Sequence, residues 1–155
     1  MVKILLASDN HGNINVLKNM VKDNPKCNYY YLCGDSQLRP EEIIPFISVK
    51  GNCDLNNYYR GNIIVDIEDR RILITHGHEY NPYYSYDKLV YTALQNNCDT
   101  IFFGHLHIYV NKEIGGVRVL NPGSCTNSRD LSEPSYMLVT INGKDIKVER
   151  KLAHV

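Results

Sequence analysis

A chain of 155 residues suits one domain that buries on the order of 70% of its unfolded surface, so residues 1–155 are assigned to a single core. Lysine plus arginine and aspartate plus glutamate each number 17, and this balance argues against general nucleic-acid or polyanion binding. Five cysteines without a C-x-x-C pair argue against a disulfide framework or a thiolate zinc site and favour a reducing, cytoplasmic setting.

The chain opens with an apolar run over residues 2–7, read as a strand buried on both faces. That run is too short for a secretory leader, and no later run is long enough to span a membrane, so neither is expected. Ser8-Asp9-Asn10-His11-Gly12-Asn13 interrupts the run. Ile14, Leu17, Met20 and Val21 then recur at helical spacing, with Asn13 or Asn15 as cap and Asn24-Pro25 as the stop. Tyr29 to Cys33 is a second strand, ended by Gly34-Asp35. Pro40 to Ile44 reads as a short helix with proline and acids in its first turn, and Ile47 to Lys50 as a third strand before Gly51-Asn52-Cys53-Asp54. This alternation predicts an α/β fold with parallel pairing.

The second half reads differently. Residues 63–67 and 71–75 form a hairpin around a short polar turn, and a helix over 85–95 carries Leu89, Val90, Ala93 and Leu94 on one face. A strand at 100–103 follows. Two more hairpins are predicted, around Gly115-Gly116 and Asn142-Gly143. Two mixed β-sheets packed as a sandwich and flanked by helices accommodate this order.

Polar clusters stand where the buried strands end: Asp9-Asn10-His11, Gly34-Asp35, Gly51-Asn52, Thr75-His76-Gly77-His78 and Gly104-His105-Leu106-His107. Open α/β sheets bind ligands beyond the carboxyl ends of their strands, so these clusters point to one shared site. An extended backbone would send His105 and His107 to the same side. The candidate ligands are Asp9, His11, Asp35, Asn52, His76, His105 and His107. Imidazole and oxygen donors together suit manganese, iron, zinc or nickel, and seven ligands are too many for one tetrahedral ion, which favours two divalent ions sharing a carboxylate.

In this order the motifs resemble the calcineurin-like metallophosphoesterase superfamily, in particular its compact, cap-less phosphodiesterase branch, which includes the retromer subunit Vps29. The likeness runs from about Val2 to Ser124 and includes Asn121-Pro122-Gly123-Ser124. It implies that Asp9, His11 and His107 hold one ion, that Asn52, His76 and His105 hold the other, and that Asp35 bridges them. Manganese is the favoured metal, with nickel, zinc and iron as alternatives. The resemblance further implies a water activated between the ions and a small or activated phosphodiester as substrate.

One position departs from the family pattern. Many relatives carry histidine where this chain has Cys53, and that histidine is commonly assigned as the acid for the leaving alcohol; a thiol is a poorer donor. Asp54 and His78 complete the catalytic candidates, Asp54 as a group orienting Asn52 or a histidine, His78 as a phosphate contact, a supporting residue or a structural one. The alternatives are a phosphomonoester or nucleotide phosphatase and a Vps29-like interaction scaffold. The tyrosines between His78 and Ser85 could contact substrate or a partner, including a second copy of the chain; the bland reading is half-buried bulk.

Overall fold

The computed structural model describes residues 1–154. Ten strands and two α-helices follow the order β1 (Val2–Ala7), α1 (Ile14–Asp23), β2 (Tyr29–Leu32), β3 (Ile47–Ser48), β4 (Asn62–Ile67), β5 (Arg70–Thr75), α2 (Asp87–Gln95), β6 (Thr100–Phe102), β7 (Tyr109–Ile114), β8 (Val117–Pro122), β9 (Ser135–Asn142) and β10 (Asp145–Leu152). They build two mixed five-stranded sheets, ordered β10-β9-β1-β2-β3 and β4-β5-β6-β8-β7. In each sheet a parallel core, β1-β2-β3 or β5-β6-β8, is extended by antiparallel hairpin strands.

The period-2 alternation of the strands explains the layering. On β1, Ile4 and Leu6 face the second sheet, where they meet Ile72, Ile74, Phe102 and Leu120, while Leu5 and Ala7 face outward onto Val16, Leu17 and Met20 of α1. The second sheet mirrors this arrangement: Leu73, Ile101 and Phe103 pack outward on Leu89, Val90 and Ala93 of α2. A strand with a buried partner on each side is apolar toward both, which is why Ile4 to Ala7, Tyr30 to Leu32 and Ile101-Phe102 read as continuous apolar runs.

Asn13 caps α1, its side-chain oxygen accepting from the Val16 N–H at 3.1 Å, and Asn24 closes the helix, donating from its backbone N–H to Met20 and Val21. Several ends differ from the sequence reading. The helix expected from Ser85 begins at Asp87, and the one expected over 40–44 is a single 3-10 turn, Pro40–Glu42. Arg70 pairs with Ile67, so the first hairpin turns on Glu68 and Asp69 alone. No helix among the described residues is long and apolar enough to cross a membrane.

Backbone hydrogen bonds stitch the loops beyond the parallel strands together: Asp9 N–H to Gly34 O at 3.1 Å, His11 N–H to Asp35 O at 3.0 Å, Gly104 N–H to His76 O at 3.1 Å and Cys125 N–H to Ser8 O at 3.1 Å. Loops from both sheets therefore share one rim of the fold.

Candidate metal centre

Each candidate ligand stands one to five residues beyond a strand, and the loops bend sharply as they leave the sheet. Asp9, His11, Asp35, His105 and His107 all adopt positive φ, between 44° and 69°. Left-handed backbone is unfavourable for side chains with a Cβ, and such residues gather where a site demands an unusual direction. The sharpest consequence concerns Gly104-His105-Leu106-His107. β6 ends at Phe102, both histidines turn left-handed, and the extended geometry that would point them to one side is absent. His105 turns its Nδ1 to Asn52 Oδ1 at 3.1 Å, whereas His107 turns its Nε2 to His11 Nε2 at 3.2 Å and to Asp9 Oδ1 at 3.4 Å.

Two groups of donor atoms result. Asp9, His11 and His107 form one, and Asp9, Asp35 and His76 the other, each with ligand atoms within 4.8 Å of one another. His76 Nε2 lies 3.2 Å from Asp35 Oδ2 and 2.9 Å from Asn52 Oδ1, which joins Asn52 and His105 to the second group. Asp35 also reaches the first side, grouped with His11 and Cys53. All seven ligands proposed from sequence thus converge on one rim.

The surrounding hydrogen bonds aim these atoms. Nδ1 of His76 meets Cys33 O at 2.6 Å, Nδ1 of His107 meets Asn127 O at 2.7 Å, and Nδ1 of His11 meets Gln37 Oε1 at 2.8 Å. A carbonyl can only accept, so each Nδ1 carries a proton, and Nε2 is the ring nitrogen that each histidine turns inward. Asp9 Oδ2 accepts from Ser8 Oγ at 2.5 Å and from the His105 N–H at 3.1 Å. Its other oxygen, Oδ1, is buried with no hydrogen-bond partner, facing the Nε2 atoms of His107 at 3.4 Å and of His11 and His76 at 3.8 Å each. A buried carboxylate oxygen left unpaired is costly, and three imidazole Nε2 atoms converge on it; a cation held among them would satisfy it. The residues present fit divalent metal.

The glycines of these motifs are required by close approach. A Cβ on Gly51 would lie 2.0 Å from Asp35 Oδ1, and one on Gly104 would lie 2.1 Å from Ser8 Oγ and 2.8 Å from Asp9 Oδ2.

A family model for the calcineurin-like phosphoesterase superfamily domain matches residues 2–144. The chain belongs to the calcineurin-like metallophosphoesterase superfamily. It is 32% identical over 143 residues to the probable metallophosphoesterase YsnB of Bacillus subtilis, covering 90% of this chain and 85% of that protein. Among solved structures, a conserved Streptococcus pneumoniae protein described as a predicted phosphoesterase superposes with a TM-score of 0.89 at 29% identity, covering 96% of this chain and 88% of that one. A novel archaeal phosphodiesterase gives 0.72 at 22% identity, covering 97% and 100%, a likeness of fold.

In this member of the metallophosphoesterase superfamily the charge state of the candidate ligands follows from their packing. Burial opposes ionisation of Asp35, but the hydrogen bond and charge of His76 and the Cys53 N–H at 2.8 Å outweigh it and hold the carboxyl well below the usual range. Burial likewise disfavours the imidazolium of His76, yet Asp35 and Asp9 raise its pKa. His105 moves the other way: burial, followed by the neighbouring His76, lowers it to about 4.

The catalytic candidates occupy different places. Asp54 uses both carboxylate oxygens on backbone N–H groups, those of Asp35 at 3.0 Å, Gly51 at 2.7 Å and Gln37 at 2.8 Å, so it holds the loop that carries Asp35 and touches no ligand side chain. Cys53 Sγ sits within 4.8 Å of the donor atoms of His11 and Asp35, and burial, then the Asp35 charge, pushes its thiol up. His78 stacks obliquely beside His76 with ring centroids 5.4 Å apart, and burial, then His76, lowers its pKa.

Two clefts flank the Gly51 to Asp54 turn. One is polar and includes Lys50, Asn52, Asn62, His78 and Tyr80; the other includes Gln37, Leu38, Cys53, Leu55, Tyr58 and Tyr59. Sequence reasoning singled out Asn121-Pro122-Gly123-Ser124 without a role. Ser124 Oγ donates to Asp9 O at 2.9 Å and Asn121 Nδ2 to Gly104 O at 3.0 Å, so the turn braces two ligand loops. Gln37, Asn127 and Arg129, which also contact those loops, carried no recognisable signal.

Proposed function

We propose that the chain is a two-metal phosphodiesterase, acting on small or activated phosphodiesters, with Asp9, His11 and His107 toward one ion, Asn52, His76 and His105 toward the other, and Asp35 between them. The unpaired, buried Oδ1 of Asp9 amid three inward imidazole nitrogens carries this reading. Divalent ions held by these residues would supply Lewis acidity toward the phosphoryl group and an acidified water. Manganese is the metal we favour, with nickel, zinc and iron as alternatives, since the donor set mixes imidazole and oxygen.

The chain's own residues do the rest. Cys33, Asn127 and Gln37 fix the tautomers of His76, His107 and His11, and Asp54 fixes the backbone of Asp35. Two clefts meeting at the Gly51 to Asp54 turn give room for the two substituents of a diester, where a monoester needs one. The archaeal protein's description as a phosphodiesterase supports the same choice. On this reading Cys53, beside His11 and Asp35, is the group that would supply the proton for the leaving oxygen, and its raised pKa keeps the thiol neutral, a donor of low acidity.

The test is hydrolysis of a bis-aryl phosphodiester and of the matching aryl monoester by purified protein with manganese, and again after chelation. The reading expects metal-dependent turnover with the diester preferred. Preference for the monoester would move it to a phosphatase, and no turnover of either by fully loaded protein would contradict it.

A further inference from the structure

We propose that Arg129 is a substrate-binding residue that receives the phosphoryl oxyanion of the phosphoester at the rim of the metal cluster. The inference rests on the phosphoesterase reading above and adds a group no motif suggested. The Arg129 backbone N–H donates to His107 O at 3.0 Å, which docks the Asn127 to Glu133 loop onto the loop that carries both histidine ligands. Its guanidinium then lies over the same loop: Nη1 donates to His105 O at 3.4 Å and to the hydroxyl of Tyr83. Tyr83 is itself set against the ligand, its ring edge-on to His105 at 5.3 Å between centroids, its hydroxyl 3.5 Å from the same carbonyl.

Arg129 is thus held in place without being neutralised. Among the described residues no carboxylate pairs with it, and Nε and Nη2 have no protein acceptor. Arg39, by contrast, is paired with Glu41 and Glu42, and Lys50 donates to Asn57 Oδ1 at 2.7 Å. An exposed arginine anchored on the loop of His105 and His107, with no carboxylate partner, keeps its charge available to an anion arriving at the cluster. The planar fork with unused donors matches the tetrahedral edge of a phosphoryl group, to which guanidinium bonds are charge-assisted.

A purely structural Arg129, acting only through its bond to His105 O, makes a different prediction, and two substitutions separate the cases. Arg129→Lys keeps the charge; Arg129→Gln keeps a neutral donor for the carbonyl. Both are compared with wild type as manganese-loaded protein, with metal content and Tm checked. The readouts are calorimetric binding of inorganic phosphate and kcat/KM on the diester. Loss of a charge-assisted hydrogen bond predicts roughly 10- to 100-fold weaker phosphate binding and a similar fall in kcat/KM for Gln, and a clearly smaller loss for Lys. Tyr83→Phe, which removes one anchor and leaves the charge, is expected to fall between wild type and Gln. Phosphate binding by Gln equal to wild type, or an equal loss in Gln and Lys, overturns the proposal while leaving the phosphoesterase reading intact. Wild-type protein that binds two ions but neither binds phosphate nor cleaves any phosphoester overturns both.

Discussion

At the scale of single residues the cluster depends on close backbone approach and on opposed charge shifts. Gly51→Ala would drive a methyl into Asp35 Oδ1, at 2.0 Å, so the Asp35 loop must move; overpacking of this kind costs about 1–3 kcal/mol and is expected to lower metal occupancy as well as Tm. Wild-type occupancy in a folded Gly51→Ala protein would show that the loop accommodates the clash. The metal-free protein has a pH signature with two limbs. His105, with a folded pKa of about 4 against an ordinary 6.5, binds its proton less readily than in the unfolded chain, so stability falls as pH drops from 6.5 toward 4. His76 is raised, so its contribution is complete below 6.5 and lost as pH rises through its folded value. Together they place an optimum near pH 6.5 in a Tm profile of chelated protein, and His105→Gln is expected to flatten the acid limb. Cys53 gives a chemical signature instead. The proposed phosphodiesterase reading, with a neutral Cys53 thiol as the proton source for the leaving group, expects aryl diesters to be cleaved much faster than alkyl ones and Cys53→His to narrow the ratio of their kcat/KM values. The general-acid scale for that recovery is roughly 10²–10⁴-fold. An unchanged ratio in a fully loaded variant would mean that position 53 does not serve the leaving group.

At the scale of elements the sequence was legible wherever burial imposes a period. Residues 2–7 read as the strand they are because Ile4 to Ala7 are buried on both faces, and the spacing of Leu17 and Met20 marked α1, which packs them on Leu5 and Ala7. Ends were less legible because they depend on local bonds: the helix drawn from Ser85 starts at Asp87, where the Ser85 hydroxyl accepts from the Asp87 N–H at 3.3 Å. The candidate site was legible because strand ends announce themselves as charged residues after apolar runs. Its aiming was not. The carbonyls of Cys33 and Asn127 that orient His76 and His107 belong to the backbone and leave no trace in residue identity, and the left-handed turns at His105 and His107 could not be read from a Gly-His-x-His spelling. Since α1 and α2 support the sheets from outside, Leu17→Ala or Leu89→Ala is expected to cost about 2–5 kcal/mol of stability in denaturant titrations while leaving metal stoichiometry intact at low temperature.

At the scale of the whole molecule, two sheets with separate helical supports meet at one rim, and each sends candidate ligands to it: Asp9, His11, Asp35 and Asn52 from loops of the first, His76, His105 and His107 from loops of the second. The cluster therefore ties the halves together, and metal binding is expected to raise Tm by stabilising the native state alone. The account stands on the presence of two ions in that cluster with Asp35 between them. Counting manganese bound per chain at saturation, by elemental analysis of desalted protein alongside calorimetric titration, tests it most directly. The account predicts two ions for the wild type and weakened binding of both in Asp35→Asn. A wild-type protein that takes up no more than one would contradict it.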